Sequence, residues 1–183
     1  MRLALLSDIH GDLAALEQAL LQLAAWQPHY YLLLGDLLNH GPRNPVPAGY
    51  DPMGVAARLN GLRQQIIAVR GNCDSEVDQM LLQFPVLASH NQLLVDGHRF
   101  FMTHGHCLAE EGLPLTSADL LLTGHTHRVH WQKDGQGPMR FNPGSLAMPR
   151  DGQPASYGRY EADCLTLVER DSGAVLAQYS LTD

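Results

Sequence analysis

Five short apolar segments of this chain are each followed at once by residues of the kinds that bind metal ions. The segments begin with LALL, YYLL, IIAV, RFFM and LLL, and each is short enough to be a buried strand. The residues that follow them are Asp8 with His10, Asp36, Asn72, His104, and His125 with His127. The carboxyl ends of parallel strands border a common crevice, so we expect these seven side chains to meet. The pattern therefore predicts an α/β fold that brings five strand ends together.

The order of the predicted elements favours two sheets packed face to face, with helices outside. In the first half, strands alternate with helices, which indicates parallel strands joined by helical crossovers. The helices are predicted after Asp12 as an N-cap, around Val55, Leu59 and Leu62, and over residues 75–82. The predicted strands are residues 3–6, 30–34, 65–69, 93–96, 99–103, 120–123, 129–133, 140–142, 157–161, 165–169 and 174–179. The proline-rich residues 39–52 are predicted to form a loop.

Length and composition limit the classes of function. The 183 residues fit a single domain over residues 1–183, and 45% hydrophobic residues argue against a disordered chain. The net charge is −7 and Lys133 is the only lysine, so a long nucleic acid is not expected as a partner. The three cysteines are scattered, which favours a reducing cytoplasm. The apolar start is too short for a signal peptide or a membrane span, and self-association stays open.

The seven candidate ligands suit two metal ions better than one. Two carboxylates, one amide and four imidazoles are too many for one tetrahedral zinc ion, whereas two ions can share a bridging carboxylate. Each residue taken alone also fits a turn or a buried histidine. Their joint occurrence at five strand ends favours a metal site.

The motifs D-x-H, G-D, G-N, H-G-H and G-H-T-H, in this order, resemble those of the calcineurin-like metallophosphoesterases. The stretches GDLLNHGPRN, RGNCDSEVDQM and FNPGS are similar to the small bacterial phosphodiesterases of the YfcE type. The resemblance implies a four-layer α/β/β/α sandwich and a cytoplasmic enzyme. Carried over by motif, Asp36 bridges two ions. The other ligands form two sets of three: Asp8, His10 and His127, and Asn72, His104 and His125.

The resemblance also implies a phosphoric diester hydrolase that acts on small phosphodiesters. A hydroxide shared by two divalent ions would attack phosphorus in line. Asp36, Asn72 and His40 are the candidate catalytic residues. The resemblance favours Mn²⁺, while the ligand set also suits Zn²⁺, Fe²⁺, Co²⁺ or Ni²⁺ rather than Ca²⁺. Two other functions stay open: a protein-interaction scaffold like Vps29, and a nuclease, for which short oligonucleotides or cyclic nucleotides are the remaining substrates.

The sequence departs from its relatives beside the predicted site. Many relatives have a histidine after the ligand asparagine, where this chain has Cys73. Phosphatase relatives have an aspartate and an arginine where this chain has Asn39 and His40. Cys73 has two interpretations, a thiol near the second metal or a packing residue. His40 likewise is either a phosphate contact or proton donor, or a solvated loop histidine.

Overall fold

The computed structural model describes residues 1–107 and 113–182. Its strands are β1 (Leu3–Leu6), β2 (Tyr30–Leu33), β3 (Ile66–Ala68), β4 (His90–Val95), β5 (His98–Thr103), β6 (Leu120–Leu122), β7 (Val129–Gln132), β8 (Met139–Pro143), β9 (Ser156–Glu161), β10 (Cys164–Glu169) and β11 (Val175–Ser180). Its α-helices are α1 (Leu13–Trp26), α2 (Pro52–Asn60) and α3 (Glu76–Leu81), and Arg63–Gln65 form a short 3₁₀ helix.

The strands form two mixed sheets. The first has the order β11-β10-β9-β1-β2-β3, in which β1, β2 and β3 run parallel and β9 pairs antiparallel with β1. The second has the order β4-β5-β6-β8-β7, in which β5, β6 and β8 run parallel. The predicted α/β class with mixed sheets is therefore confirmed.

Two apolar clusters hold these layers together. One lies between the helices and the six-stranded sheet, where Leu16 and Leu20 of α1 pack with Leu6 and Leu33. The other lies between the two sheets, where Leu5 and Leu32 pack with residues such as Phe100 of the second sheet. Alternation along β1 sends Leu5 and Leu6 to opposite faces, so the six-stranded sheet is buried on both sides. In the described part of the chain, the three α-helices contribute to the first cluster or flank it.

Local signals place several of the element ends. The Asp12 side chain accepts a hydrogen bond of 3.0 Å from the Ala15 amide, so Asp12 is the N-cap of α1, as predicted. The hairpin of β4 and β5 turns at Asp96 and Gly97, which have φ of 50° and 89°. Positive φ at both central residues is typical of the two-residue turn that matches strand twist. The second helix ends at Asn60, two residues before Leu62, which was predicted to lie on its apolar face.

The described helices include none that is both long and apolar enough to cross a membrane.

Candidate metal centre

The carboxyl ends of strands from both sheets meet at one edge of the sandwich. After β1 and β2, the Asp8 amide donates to the Gly35 carbonyl at 3.1 Å, and the His10 amide donates to the Asp36 carbonyl at 2.9 Å. After β5 and β6, the Gly124 amide donates to the His104 carbonyl at 3.2 Å. Backbone bonds between these post-strand segments thus hold the candidate ligands against one another, which is the convergence that the sequence predicts.

Asp8, His10 and His127 form a buried cluster, here called the first triad. Asp8 Oδ1 lies 3.6 Å from His10 Nε2 and 3.3 Å from His127 Nε2. The two Nε2 atoms are 3.1 Å apart. Asp8 and His10 are fully buried, and His127 is 4% exposed. Three donor atoms of the types that bind divalent metals therefore face one point, close enough to share an ion.

Asn72, His104 and His125 form a second cluster, called the second triad. Asn72 Oδ1 lies 3.2 Å from His104 Nε2, and the His104 and His125 rings have centroids 5.1 Å apart. His104 is fully buried, but Asn72 is exposed and His125 is partly exposed. This triad is therefore the more open of the two.

Asp36 lies between the two triads. Its Oδ2 is 3.6 Å from His10 Nε2 in the first triad and 3.4 Å from His104 Nε2 in the second. Its Oδ1 accepts a hydrogen bond of 2.8 Å from the Cys73 amide, which fixes the carboxylate plane. One carboxylate oxygen is thus shared by two groups of candidate ligands, the position that a bridging ligand needs.

Backbone carbonyls orient three of the four histidines. The Nδ1 atoms of His10, His104 and His127 each contact a carbonyl, of Asn39 at 2.8 Å, Leu34 at 2.6 Å and Met148 at 2.7 Å. A carbonyl oxygen only accepts, so each Nδ1 carries the hydrogen, and a neutral ring has its lone pair on Nε2. The lone pairs of His10 and His127 would then face each other at 3.1 Å, an arrangement that a cation between them makes favourable.

Backbone conformation at the ligands is unusual. Asp8, His10, Asp36, His125 and His127 all have positive φ, between 49° and 68°. Non-glycine residues are uncommon in this region, and such residues concentrate at functional sites. The strand ends also approach closely, because a Cβ on Gly71 would lie 2.1 Å from Asp36 Oδ1. A larger residue at position 71 would displace the bridging carboxylate.

The buried carboxylates change the pKa values of their neighbours. Burial alone would raise the pKa of Asp8, but electrostatic contact with the His10 and His127 imidazoles lowers it below its usual range. The pKa of Asp36 is lowered in the same way, since contact with His104 outweighs burial. Burial would lower the pKa of His104, but Asp36 raises it to about 9. The metal-free site therefore attracts positive charge, and at neutral pH a proton on His104 supplies part of it.

Two supporting residues were not found from the sequence. Asp74 is 2% exposed and accepts hydrogen bonds from the amides of Asp36 and Gly71, at 2.8 and 2.7 Å, and from that of Leu37 at 2.8 Å. Ser7 donates to Asp8 Oδ2 at 2.6 Å, while the buried Asp8 Oδ1 has no hydrogen-bond partner in the described structure. An unpaired buried oxygen aimed at two imidazoles fits a metal ligand. Both Asp74 and Ser7 thus position candidate ligands.

Cys73 and His40 occupy different surroundings. The Cys73 thiol accepts a contact of 3.2 Å from the Asn72 side chain, and burial raises the pKa of this thiol to about 12, so it stays protonated. Cys73 lies beside the second triad and lines its cleft. The His40 ring packs edge-on against Tyr50 at 5.2 Å and is not among the residues that line the cleft. Within the described residues, the His40 side chain has no hydrogen bond or ring contact with another predicted site residue, and its buried Nδ1 is unpaired.

The asparagine and serine of the FNPGS stretch support the site from behind. The Asn142 amide donates to the Gly124 carbonyl at 2.7 Å, beside His125. Ser145 Oγ donates to the Asp8 carbonyl at 2.9 Å. Both side chains therefore bind backbone carbonyls at or beside candidate ligands. His106 lies near the second triad, with its ring 5.2 Å from that of His104, and it is exposed.

An open cleft of about 580 Å³ exposes the candidate ligands to solvent. Its floor includes Asp36, Asn72, Cys73, His125 and His127. Its remaining lining residues are Gly41, Pro42, Arg43, Asn44, Thr126, Arg128 and Arg150. The proline-rich loop predicted from the sequence thus forms one wall, and a substrate can reach the ligands from this side.

Comparison with known proteins gives a consistent result. The sequence profile of the calcineurin-like phosphoesterase superfamily domain matches residues 1–164. The chain is 47% identical over 182 residues to phosphodiesterase YfcE of Escherichia coli strain K12, covering 99% of this chain and 98% of that protein. The solved structure of Yfce, described as a phosphoesterase from E. coli, matches with a TM-score of 0.94 and 46% identity over the whole of both chains. Vps29 of Entamoeba histolytica, solved with zinc, has the same fold at a TM-score of 0.63 and 18% identity, over the whole of both chains.

Proposed function

Because the chain belongs to the calcineurin-like phosphoesterase superfamily, we propose that it is a metal-dependent phosphodiesterase acting on small phosphodiesters. The near full-length similarity to a phosphodiesterase supports this activity. The acidic net charge of −7 supports a small substrate rather than a long nucleic acid. The three free cysteines support the expected cytoplasmic location.

The observation that carries the proposal is the inward orientation of the ligand atoms. His10, His104 and His127 turn Nε2 inward because their Nδ1 atoms bind backbone carbonyls. Asp8 Oδ1 is buried and unpaired among them. Imidazole and carboxylate donors together suit Mn²⁺, Zn²⁺, Fe²⁺, Co²⁺ or Ni²⁺, and the resemblance favours Mn²⁺. The residues present therefore fit two divalent ions, one on each triad.

The residues of this chain would divide the work of the reaction. When bound, two divalent ions supply a nucleophile from water at neutral pH and neutralise charge on the phosphoryl oxygens. Asp36 would set the spacing of the two metal positions, because its Oδ2 faces both triads. Asn72 lies on the cleft floor, where its side chain can contact the phosphoryl group. The protonated Cys73 thiol is no nucleophile at neutral pH.

The alternative of a protein-interaction scaffold has weaker support. The likeness to Vps29 is at 18% identity, which shows a shared fold alone. All seven predicted ligand positions are filled in this chain, and six of their side chains contact another member of the set directly.

The structure gives no contact for His40 that supports its predicted catalytic role.

Metal removal tests the proposal. We expect dialysis against a chelator to abolish hydrolysis of bis-p-nitrophenyl phosphate, and Mn²⁺ to restore it. Metal content, measured by plasma mass spectrometry, should reach two ions per chain when activity is full. Ca²⁺ is the matched control ion, because an imidazole-rich ligand set disfavours it. Full activity in metal-free protein, or a folded and metal-loaded protein without hydrolysis, would contradict the proposed function.

A further inference from the structure

The cleft concentrates positive charge in an acidic protein. The chain carries nineteen acidic residues against eleven arginines and one lysine. Three of those arginines, Arg43, Arg128 and Arg150, nevertheless line the cleft over the candidate metal centre. Arginine binds phosphate through two parallel hydrogen bonds, so this grouping indicates recognition of an anion.

Arg150 connects both walls of the cleft. Its guanidinium donates to Asn44 Oδ1 at 3.1 Å, on the proline-rich loop that also carries Arg43. Its backbone amide donates to the carbonyl of His127 at 3.1 Å, in the first triad. Arg150 is therefore held at a fixed position relative to the candidate ligands, and Arg43 lies next to its partner Asn44 in sequence.

The three arginines differ in how far their charge is already neutralised. Arg128 forms an ion pair with Asp151, with Nη2 at 3.4 Å from Oδ1 and Nε against Oδ2. Among residues 1–107 and 113–182, neither Arg43 nor Arg150 forms an ion pair with a carboxylate. Asp151 interacts with Arg150 only at longer range, so Arg43 and Arg150 are less neutralised than Arg128 and offer positive charge to a ligand.

Depth in the cleft separates these arginines from the reacting group. Asp36 and His127 on the floor are 2% and 4% exposed, whereas Arg43 and Arg150 are exposed. The negative charge on the phosphoryl oxygens of a diester held at the floor would be neutralised by metal ions bound to the two triads. An anionic group of the substrate that reaches Arg43 and Arg150 must therefore belong to one of the two substituents of the diester, not to the reacting phosphoryl group.

We infer that Arg43 and Arg150 form an anion subsite that binds a second phosphate group on the substrate. The inference rests on the proposed function and gives it a substrate class: phosphodiesters whose retained substituent carries another phosphate. The second phosphate replaces water around two guanidinium groups that form no close ion pair with a carboxylate, so it should lower KM more than it raises kcat.

Two chromogenic esters test the inference. One is the p-nitrophenyl ester of thymidine 5′-phosphate, and the other is the same ester with an added 3′-phosphate. Their leaving groups are identical, so p-nitrophenol release reports only the effect of the second phosphate. With Mn²⁺, we expect kcat/KM to be about tenfold higher for the ester with the 3′-phosphate, mainly through KM.

Arginine variants locate the effect. The double variant Arg43→Gln with Arg150→Gln should remove most of the tenfold preference and change kcat/KM for the plain ester less than about threefold. Arg128→Gln should reduce the preference less, because Asp151 already pairs with Arg128. Arg63→Gln is the matched control, since Arg63 is exposed, donates to the Asn60 carbonyl and does not line the cleft.

Three outcomes would overturn the inference: no preference in the wild type, an unchanged preference in the double variant, or an equal loss on both esters. Failure of the proposed function is distinguishable from these outcomes. If neither ester is hydrolysed, calorimetry with thymidine 3′,5′-bisphosphate and thymidine 5′-monophosphate decides. Tighter binding of the bisphosphate that depends on Arg43 and Arg150 supports the subsite without hydrolysis, and equal binding contradicts it.

Discussion

The two triads differ in how firmly their side chains are held. In the first triad, His10 and His127 both bind backbone carbonyls through Nδ1, and Asp8 Oδ2 accepts from Ser7. In the second triad, His104 has the same carbonyl contact, but Asn72 is exposed and His125 is partly exposed. For His125, the described structure shows ring contacts with other histidines rather than a hydrogen bond to the ring.

This difference indicates unequal metal binding. Ligands that neighbours already orient lose little freedom when an ion binds, and burial keeps competing water away. The first triad meets both conditions, and the second meets them only at His104. We therefore expect a tighter ion on Asp8, His10 and His127 and a weaker, more exchangeable ion on Asn72, His104 and His125.

The largest effect should follow a change that both triads share. Asp36→Asn removes the negative charge between His10 and His104 while keeping the side-chain shape. We expect a loss of about 10³-fold in kcat on bis-p-nitrophenyl phosphate, the upper end of what one electrostatic group contributes. Metal content should fall at both positions while the circular dichroism spectrum stays unchanged. Near-normal turnover and two ions per chain would contradict the bridging position of Asp36.

Variants of single triads test the comparison itself. His10→Ala should lower the affinity of the tighter ion by about 100-fold, because it removes a preoriented ligand. His125→Ala should weaken only the second binding step, since its ring is the least constrained. Competition titration with a fluorescent chelator measures both steps. The two triads would prove equivalent if both variants changed the same step by the same factor.

Strand ends and their ligands could be predicted from the sequence because that information is local. An apolar segment such as LALL, followed after Ser7 by Asp8, shows both where the strand ends and which candidate ligand lies there. The hairpin at Gly97 was predictable for the same reason. Its first strand begins at His90 rather than residue 93, because alternate residues of β4 are exposed and their polarity masks the start.

The supporting contacts could not be predicted, because they join residues that are distant in sequence. Asp74 reads as an ordinary turn residue, and its role depends on the amide of Asp36, 38 positions earlier. Arg150 likewise reads as a surface arginine until the fold places it against Asn44, 106 positions away. Positive φ at Asp8 and His127 is similarly a consequence of tertiary packing.

The affinity of the second triad for its metal ion should depend on pH through His104. Its pKa is raised from 6.5 to about 9 by Asp36, so the metal-free protein holds a proton there at neutral pH. This proton stabilises the metal-free fold below pH 6.5, and the contribution is lost as the pH rises towards 9. A metal ion on the second triad must displace it, so its affinity should rise about tenfold per pH unit and level off above pH 9. Chelator titrations across this range measure the slope, and a flat profile would contradict it.

The smallest effect should come from the hydroxyl that orients the first triad. Ser7 donates to Asp8 Oδ2 at 2.6 Å, and this contact helps to keep Oδ1 directed at His10 and His127. In Ser7→Ala the carboxylate keeps the hydrogen bond from the His125 amide at 3.1 Å, so it becomes less restrained but stays in place. We expect about a tenfold loss of affinity for the tighter ion, the low end for groups that orient a metal ligand. Ser172→Ala is the matched control, because the exposed Ser172 also donates to a carboxylate, that of Glu169, and does not line the cleft. If Ser7→Ala instead weakened the second binding step, the affinity of the first triad would not depend on this hydrogen bond. Burial alone would then have to explain why the two triads bind their ions with different affinities.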